Sequence, residues 1–342
     1  MAQNGPLSGI TIVDLSRILA GPYCTHLAAE LGARVIKVET PQGDDARQYG
    51  PFKNGKSTYF ASINRGKESI ALDLKSKDDR DIFERLLDKA DVLVENFRPG
   101  TMERLGYGWD TLHPRYPRLI YAAASGFGHT GPYSHYPSYD MVVQGLGGIM
   151  SITGTPGGDL VRVGTSVGDL AGGLYTTIAL NAALYHRERS GEATKIDVAL
   201  FDCQLALLEN AVMRYTTTGE IPGPMGARHP SITPFEAFAT KDGHIIIAAG
   251  NDGLYIKLVQ ALGRSDLADN PLFTTNPLRN QHQAALKVEI EAVLQEGTTD
   301  HWIALLEKAG IPCGPVNNVA QALAHPQLSL IHISEPTRQA EI

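Results

Sequence analysis

A chain of 342 residues with 43% hydrophobic side chains can bury a large core, and its length predicts two domains rather than one. The formal charge of -7 argues against nucleic acid or an anionic membrane as the main partner, and three widely spaced cysteines (Cys24, Cys203 and Cys313) exclude a disulfide framework and a CxxC metal site. No apolar run reaches about 18 residues and MAQNGPLSG has no basic start before an apolar core, so a cytoplasmic protein without structural zinc is expected.

Ile10 to Leu15 (ITIVDL) predicts the first strand. Pro22 suits a helix N1 position, and the segment Cys24 to Leu31 predicts a helix that stops at Gly32. Strands are expected at Arg34 to Glu39, Ser69 to Leu74, Asp91 to Glu95 and Leu119 to Ala124, with a charged helix at Asp78 to Lys89. This alternation is the pattern of βαβ units around a mostly parallel sheet, a Rossmann-like α/β domain expected over residues 1–218. Within it, Gly154 to Gly158 predicts a turn and Leu170 to Arg189 a long, buried helix rich in small residues. A smaller α+β domain is expected over 219–327 after the Pro/Gly-rich stretch Gly219 to Gly226. Its strands fall at Phe235 to Phe238 and His244 to Ala248, its helices at Tyr255 to Leu262, Gln283 to Gln295 and Thr299 to Ala309. Leu328 to Arg338 (LSLIHISEPTR) looks like a translated sequencing adapter, so 328–342 is expected to be a non-native tail, with native sequence ending near Gln327.

No GxGxxG follows the first strand and no GxxxxGK[ST] occurs, which disfavours chemistry driven by NAD or ATP. Exchange of one thioester for another needs neither. Asp169 lies in Gly168-Asp169-Leu170-Ala171-Gly172-Gly173 at the start of the long helix, where an aspartate is a good N-cap. A carboxylate so placed would also be held ionised by the helix dipole and free amides. It could attack a thioester carbonyl, with nearby amides holding the oxyanion.

The segments LSGITIVDLSRILAGPYC, LGARVIKVE, NRGKESIALDLK, ADVLVENFRPGTMERLG, SGFGHTGPY, SYDMVVQGLGG, VGDLAGGLY and GIPCGPVNN occur in this order, and almost the whole chain resembles the class III CoA-transferase (CaiB/BaiF) family. The resemblance implies that Asp169 is the nucleophile, forming an aspartyl anhydride and then an aspartyl-CoA thioester, with acyl-CoA as substrate and no tightly bound cofactor or metal. It implies CoA contacts at Arg17, Ile18, Leu72 to Lys75, Asn96, Phe97, Arg98, Arg104 and Tyr139. Arg98 and Arg104 could pair with phosphates or simply form a solvated basic face.

Tyr139 stands where similar racemases of 2-methylacyl-CoA carry a histidine, which favours a transferase; His129 and His135 nearby fit ordinary surface loops. Gln144 to Gly148 reads either as a flexible loop facing the thioester or as a close-packing turn. The formyl-CoA transferase branch has a glycine run with no equivalent between Gly226 and Gly243, which argues against oxalate or formate as substrate. His229 to Thr233 and Asn251 are acceptor-side candidates in similar enzymes that use succinyl-CoA and dicarboxylic acids, although His229 could equally hold a structural hydrogen bond. The resemblance further implies an interlocked homodimer whose C-terminal segment returns to the large domain, a segment missing if Gln327 is the last native residue. The alternatives are a racemase-like enzyme and a catalytically silent CoA-binding protein.

Overall fold

β1 (Thr11–Asp14) is a short apolar run that pairs in parallel with β2 (Arg34–Glu39), Thr11 opposite Arg34 and Asp14 opposite Lys37. The computed structural model describes residues 5–329, so most of the adapter-like stretch lies outside the described residues. The chain divides into two compact units between Pro224 and Met225.

In the first unit, α1 (Ala20–Glu30) joins β1 to β2, and a two-residue hairpin, β3 (Phe52–Lys53) and β4 (Lys56–Ser57), leads into α2 (Thr58–Asn64). Then come β5 (Glu68–Ala71), α3 (Lys77–Leu87), β6 (Val92–Glu95), α4 (Thr101–Leu105), α5 (Trp109–Arg115) and β7 (Ile120–Ser125). The remainder is α6 (Asp140–Leu146), α7 (Ile149–Ile152), α8 (Val167–Ser190), β8 (Lys195–Ala199), α9 (Leu200–Ala206) and α10 (Glu209–Thr218). The sheet runs β5-β2-β1-β6-β7-β8, parallel throughout, so the order reverses between β1 and β6. Ligands of open parallel sheets bind beyond the carboxyl ends of the strands at such a switch point.

Strand residues alternate between two cores. Ile12, Val92, Val94, Ile120 and Ala122 pack with Cys24 and Ala28 of α1 and Leu180 and Leu184 of α8. Val13, Leu93, Tyr121 and Ala123 pack on the opposite face with Phe83, Leu87, Met102 and Leu112. The two helices on the first face meet through glycine: a Cβ on Gly173 would stand 2.7 Å from the Ala20 backbone oxygen.

α1 begins at Ala20, so Pro22 is its third residue rather than N1. α8 is buried along one face only, for Leu174, Tyr175, Ile178 and Tyr185 are exposed. Finally, β8 completes the sheet where no strand was expected. The turn at 154–158 is present, closed by Gly158 N donating to Thr155 O at 3.0 Å.

In the second unit an antiparallel sheet in the order β11-β10-β9 is built from β9 (Phe235–Ala239), β10 (His244–Ala248) and β11 (Cys313–Pro315). Phe238, Ile245 and Ile247 pack against Tyr255 and Leu258 of α11 (Asp252–Ala261), Leu286 and Ile290 of α14 (Gln283–Leu294), and Trp302 and Leu306 of α15 (Thr299–Lys308). The short helices α12 (Asp266–Asp269) and α13 (Asn276–Gln281) link them.

Candidate active site

The loop leaving β1 at the switch point is held at every residue. Ser16 N donates to Asp14 Oδ1 at 2.9 Å, and Ser16 O accepts from Lys37 Nζ at 2.7 Å. Asn96, just past β6, clamps Arg17 from both sides: Arg17 N donates to Asn96 Oδ1 and Asn96 Nδ2 donates to Arg17 O, each at 2.8 Å. Ile18 N donates to Asp44 Oδ1 at 3.2 Å, and Asp44 is itself paired with Lys37 at 2.9 Å. Ile18 has φ +67, a left-handed conformation that costs a β-branched residue about 1–2 kcal/mol and persists only where the surroundings over-determine it. Beneath the loop, burial would raise the Asp14 carboxyl, but Lys67 at 3.0 Å, Lys37, and the Ser16 and Thr25 hydroxyls outweigh it and bring the pKa to about 2.

Two adjoining cavities open at this edge. The first, about 310 Å³, is lined by Lys37, Leu72, Lys75, Phe97 and Thr101 among others; the second, about 170 Å³, by Ile18, Asn96, Arg98, Ser138, Tyr139 and Asp169. Arg17 and Phe97 line both, with the guanidinium 5.4 Å from the ring centre. The structure thus brings together Arg17, Ile18, Leu72, Lys75, Asn96, Phe97, Arg98, Tyr139 and Asp169 from five separated segments. Arg104 lines neither cavity; it is exposed on α4 and donates to Thr101 Oγ1 at 2.9 Å.

Asp169 is not the N-cap of its helix. Ser166 holds that position and Asp169 is the third residue of α8. All four amides of the first turn are occupied: Val167 N donates to Thr165 O at 2.9 Å and Leu170 N to Ser166 O at 3.0 Å, while Asp140 Oδ1 accepts from Gly168 N at 2.9 Å and Asp169 N at 3.4 Å. Those amides are therefore not free to ionise Asp169 or to hold an oxyanion, as the sequence reading expected. The Asp169 carboxylate accepts no hydrogen bond among the described residues. Burial first, and the charge of Asp140 second, push its pKa up to about 7.

Several neighbours also resolve. Gln144 is fully buried, donating to Asp140 Oδ2 at 2.8 Å and accepting from Val163 N at 2.9 Å, and a Cβ on Gly147 would meet Gln204 at 2.5 Å; this stretch is a close-packed helix end. His129, expected at the surface, has a buried ring with Nε2 at 3.5 Å from Glu95 Oε1 and Nδ1 at 3.2 Å from Lys195 Nζ, whereas His135 is exposed. In the second unit His229 Nδ1 accepts from Ser231 N at 3.1 Å and Asn251 caps α11 through Leu254 N at 2.9 Å, so both have structural partners. Asp140 was missed as a site residue, although an aspartate opening a helix in SYDM was the available signal. Among the described residues no cluster of three or more His, Cys, Asp or Glu could hold a metal, and no helix is long and apolar enough to cross a membrane.

Comparison with known proteins places the chain in a family. CoA-transferase family III matches residues 7–341. The chain is 47% identical over 326 residues to an acetyl-CoA:oxalate CoA-transferase of Acetobacter aceti, a match spanning 95% of this chain and 84% of that one. It is 40% identical over 334 residues to a succinate–glutarate CoA-transferase of Agrobacterium fabrum, covering 95% and 84%. A CaiB/BaiF family protein from Brucella suis has a similar structure, with TM-score 0.85 and 42% identity over 96% of this chain and 88% of that one.

Proposed function

Starting from a chain that belongs to CoA-transferase family III and is a CoA-transferase, we propose that it moves CoA from a short acyl-CoA to a dicarboxylic acid through covalent intermediates on Asp169. The observation that carries this reading is the unpaired Asp169 carboxylate in a cavity that adjoins the switch-point cavity through Arg17 and Phe97. The larger cavity takes the nucleotide end of CoA, and the thioester reaches Asp169 along Arg17 and Phe97. Arg98 on the wall and Arg104 beyond it supply positive charge for phosphates.

The Asp169 oxygen attacks the thioester carbonyl and the C–S bond breaks, giving a mixed anhydride and CoA thiolate. The thiolate attacks the aspartyl carbonyl and expels the donor carboxylate, leaving aspartyl-CoA. The acceptor carboxylate then attacks that thioester, and the returning thiolate takes the acceptor acyl group and regenerates Asp169. No electrons are gained or lost and no nucleotide is consumed.

The relatives are named for oxalate, glutarate, mesaconate and citramalate as acceptors, and for acetyl-CoA or succinyl-CoA as donors, which supports the dicarboxylate assignment. The missing glycine run loses its force against oxalate beside the relative named for that acid. Mass spectrometry after incubation with succinyl-CoA or acetyl-CoA should find an acyl or CoA adduct on Asp169, and Asp169→Ala should lose the adduct and turnover. Turnover retained in Asp169→Ala would sink the assignment. A racemase would exchange the α-hydrogen for deuterium without any acceptor acid, and Tyr139 in place of a histidine argues against that.

The enzyme acts in the cytoplasm as a homodimer on this reading. Exposed Met141, Ile178, Tyr185, Met213 and Tyr215 on α6, α8 and α10 support a protein partner for the first unit. A light-scattering mass of one chain would refute the dimer.

A further inference from the structure

We propose that Asp140 is a positioning residue that occupies the open amides at the start of α8 and thereby keeps the Asp169 carboxylate unpaired for attack. The inference rests on Asp169 being the nucleophile. Two carboxylates reach the amino end of this helix, and in its first turn the amides of Gly168 and Asp169 have no backbone acceptor among the described residues. An acidic side chain in the first turn is drawn to such amides. Asp140 Oδ1 takes both.

Asp140 is itself fixed. Its Oδ2 accepts from Gln144 Nε2 at 2.8 Å, with Arg162 Nη1 at 4.0 Å, and Gln144 is pinned in turn by Thr165 O and Val163 N. Gly168 admits the contact, for a Cβ there would stand 3.2 Å from Asp140 Oδ1. A carboxylate bound to amides commits its lone pairs and loses basicity, whereas an unpaired one beside a like charge keeps both. The other ionisable groups facing Asp169 are Tyr59 of α2, Tyr139 at the start of α6, and Arg17 and Arg98 on the cavity wall; Arg162 faces Asp140.

With succinyl-CoA as probe, adduct formation on Asp169 in the first turnover would be followed across pH in the full chain. Asp140→Asn keeps the Oδ1 acceptor and loses the charge, so the acid limb should move down by about one pH unit with the plateau within about threefold of wild type. Asp140→Ala releases both amides to Asp169, so its plateau should fall about tenfold or more while CoA binding holds. An Asp140→Asn limb that superposes on wild type overturns the proposal. So does a wild-type plateau in Asp140→Ala, or a CoA affinity that falls with the rate. If Asp140→Ala is insoluble, the Asp140→Asn limb decides alone. A wild-type chain that forms no adduct overturns the nucleophile assignment instead, so the two failures are distinct.

Discussion

Asp169 has a proton affinity that its place on a helix would not give it. A first-turn aspartate is normally stabilised as an anion, yet here burial and then Asp140 raise the pKa to about 7. Because the folded value exceeds the unfolded one, ionisation opposes folding: the cost is absent below about pH 4, grows as pH rises through about 7, and is complete above it. Asp169→Asn removes that cost. The variant should melt at about the wild-type temperature near pH 4 and several degrees higher near pH 8, and calorimetry that finds the same shift at both would count against the raised pKa. That an aspartate sits in the first turn of the long helix was legible because the GDLAGG pattern is local, although the cap falls on Ser166, three residues before the expected Asp169. The capping partner was not: Asp140 lies 28 residues before Gly168, and tertiary packing alone joins them.

At the scale of elements, the small residues of α8 set how closely the layers approach. An alanine at Gly173 would place Cβ 2.7 Å from the Ala20 backbone oxygen, which can move only if α1 and α8 separate. At Gly172 the neighbour is the Leu200 side chain at 3.0 Å, which can rotate away. Gly173→Ala should therefore cost about 1–3 kcal/mol, lowering the urea midpoint with an unchanged slope, and Gly172→Ala should cost less; the reverse order would refute this account. The same logic explains what the sequence concealed. β2 (RVIKVE) was read with its observed bounds because three β-branched residues, Val35, Ile36 and Val38, fall within its six positions, and five of the six prove buried, Lys37 and Glu39 among them. β8 (KIDVA) is an edge strand whose exposed Asp197 breaks the apolar run, and the two-residue strands β3 and β4 are too short to show any period. The clamp of Asn96 on Arg17, which shapes both cavities, joins positions 79 residues apart and exists only once β1 and β6 are neighbours.

Over the whole molecule, the ionisable groups that respond to acid are unevenly shared between the two units. In the first, burial would raise the Asp14 and Glu39 carboxyls, but their partners prevail: chiefly Lys67 for Asp14, and the hydrogen bonds from Arg47 and Ser69 for Glu39. Both pKa values fall to about 2. The stability they contribute is present above about pH 4 and is lost as pH falls towards about 2. Asp169 adds the opposite slope above pH 4, so the first unit should be most stable in mild acid. In the second unit the depressed carboxyls of Asp242 and Asp266 lie at the surface, where solvent screens such interactions and they contribute little. The protein has two tryptophans, Trp109 in the first unit and Trp302 in the core of the second, so Trp302→Phe and Trp109→Phe report each unit separately by fluorescence. On acid titration the chain retaining Trp109 should lose its folded emission at the higher pH. Coincident transitions would mean that the buried Asp14 and Glu39 networks do not set the acid limit of the first unit.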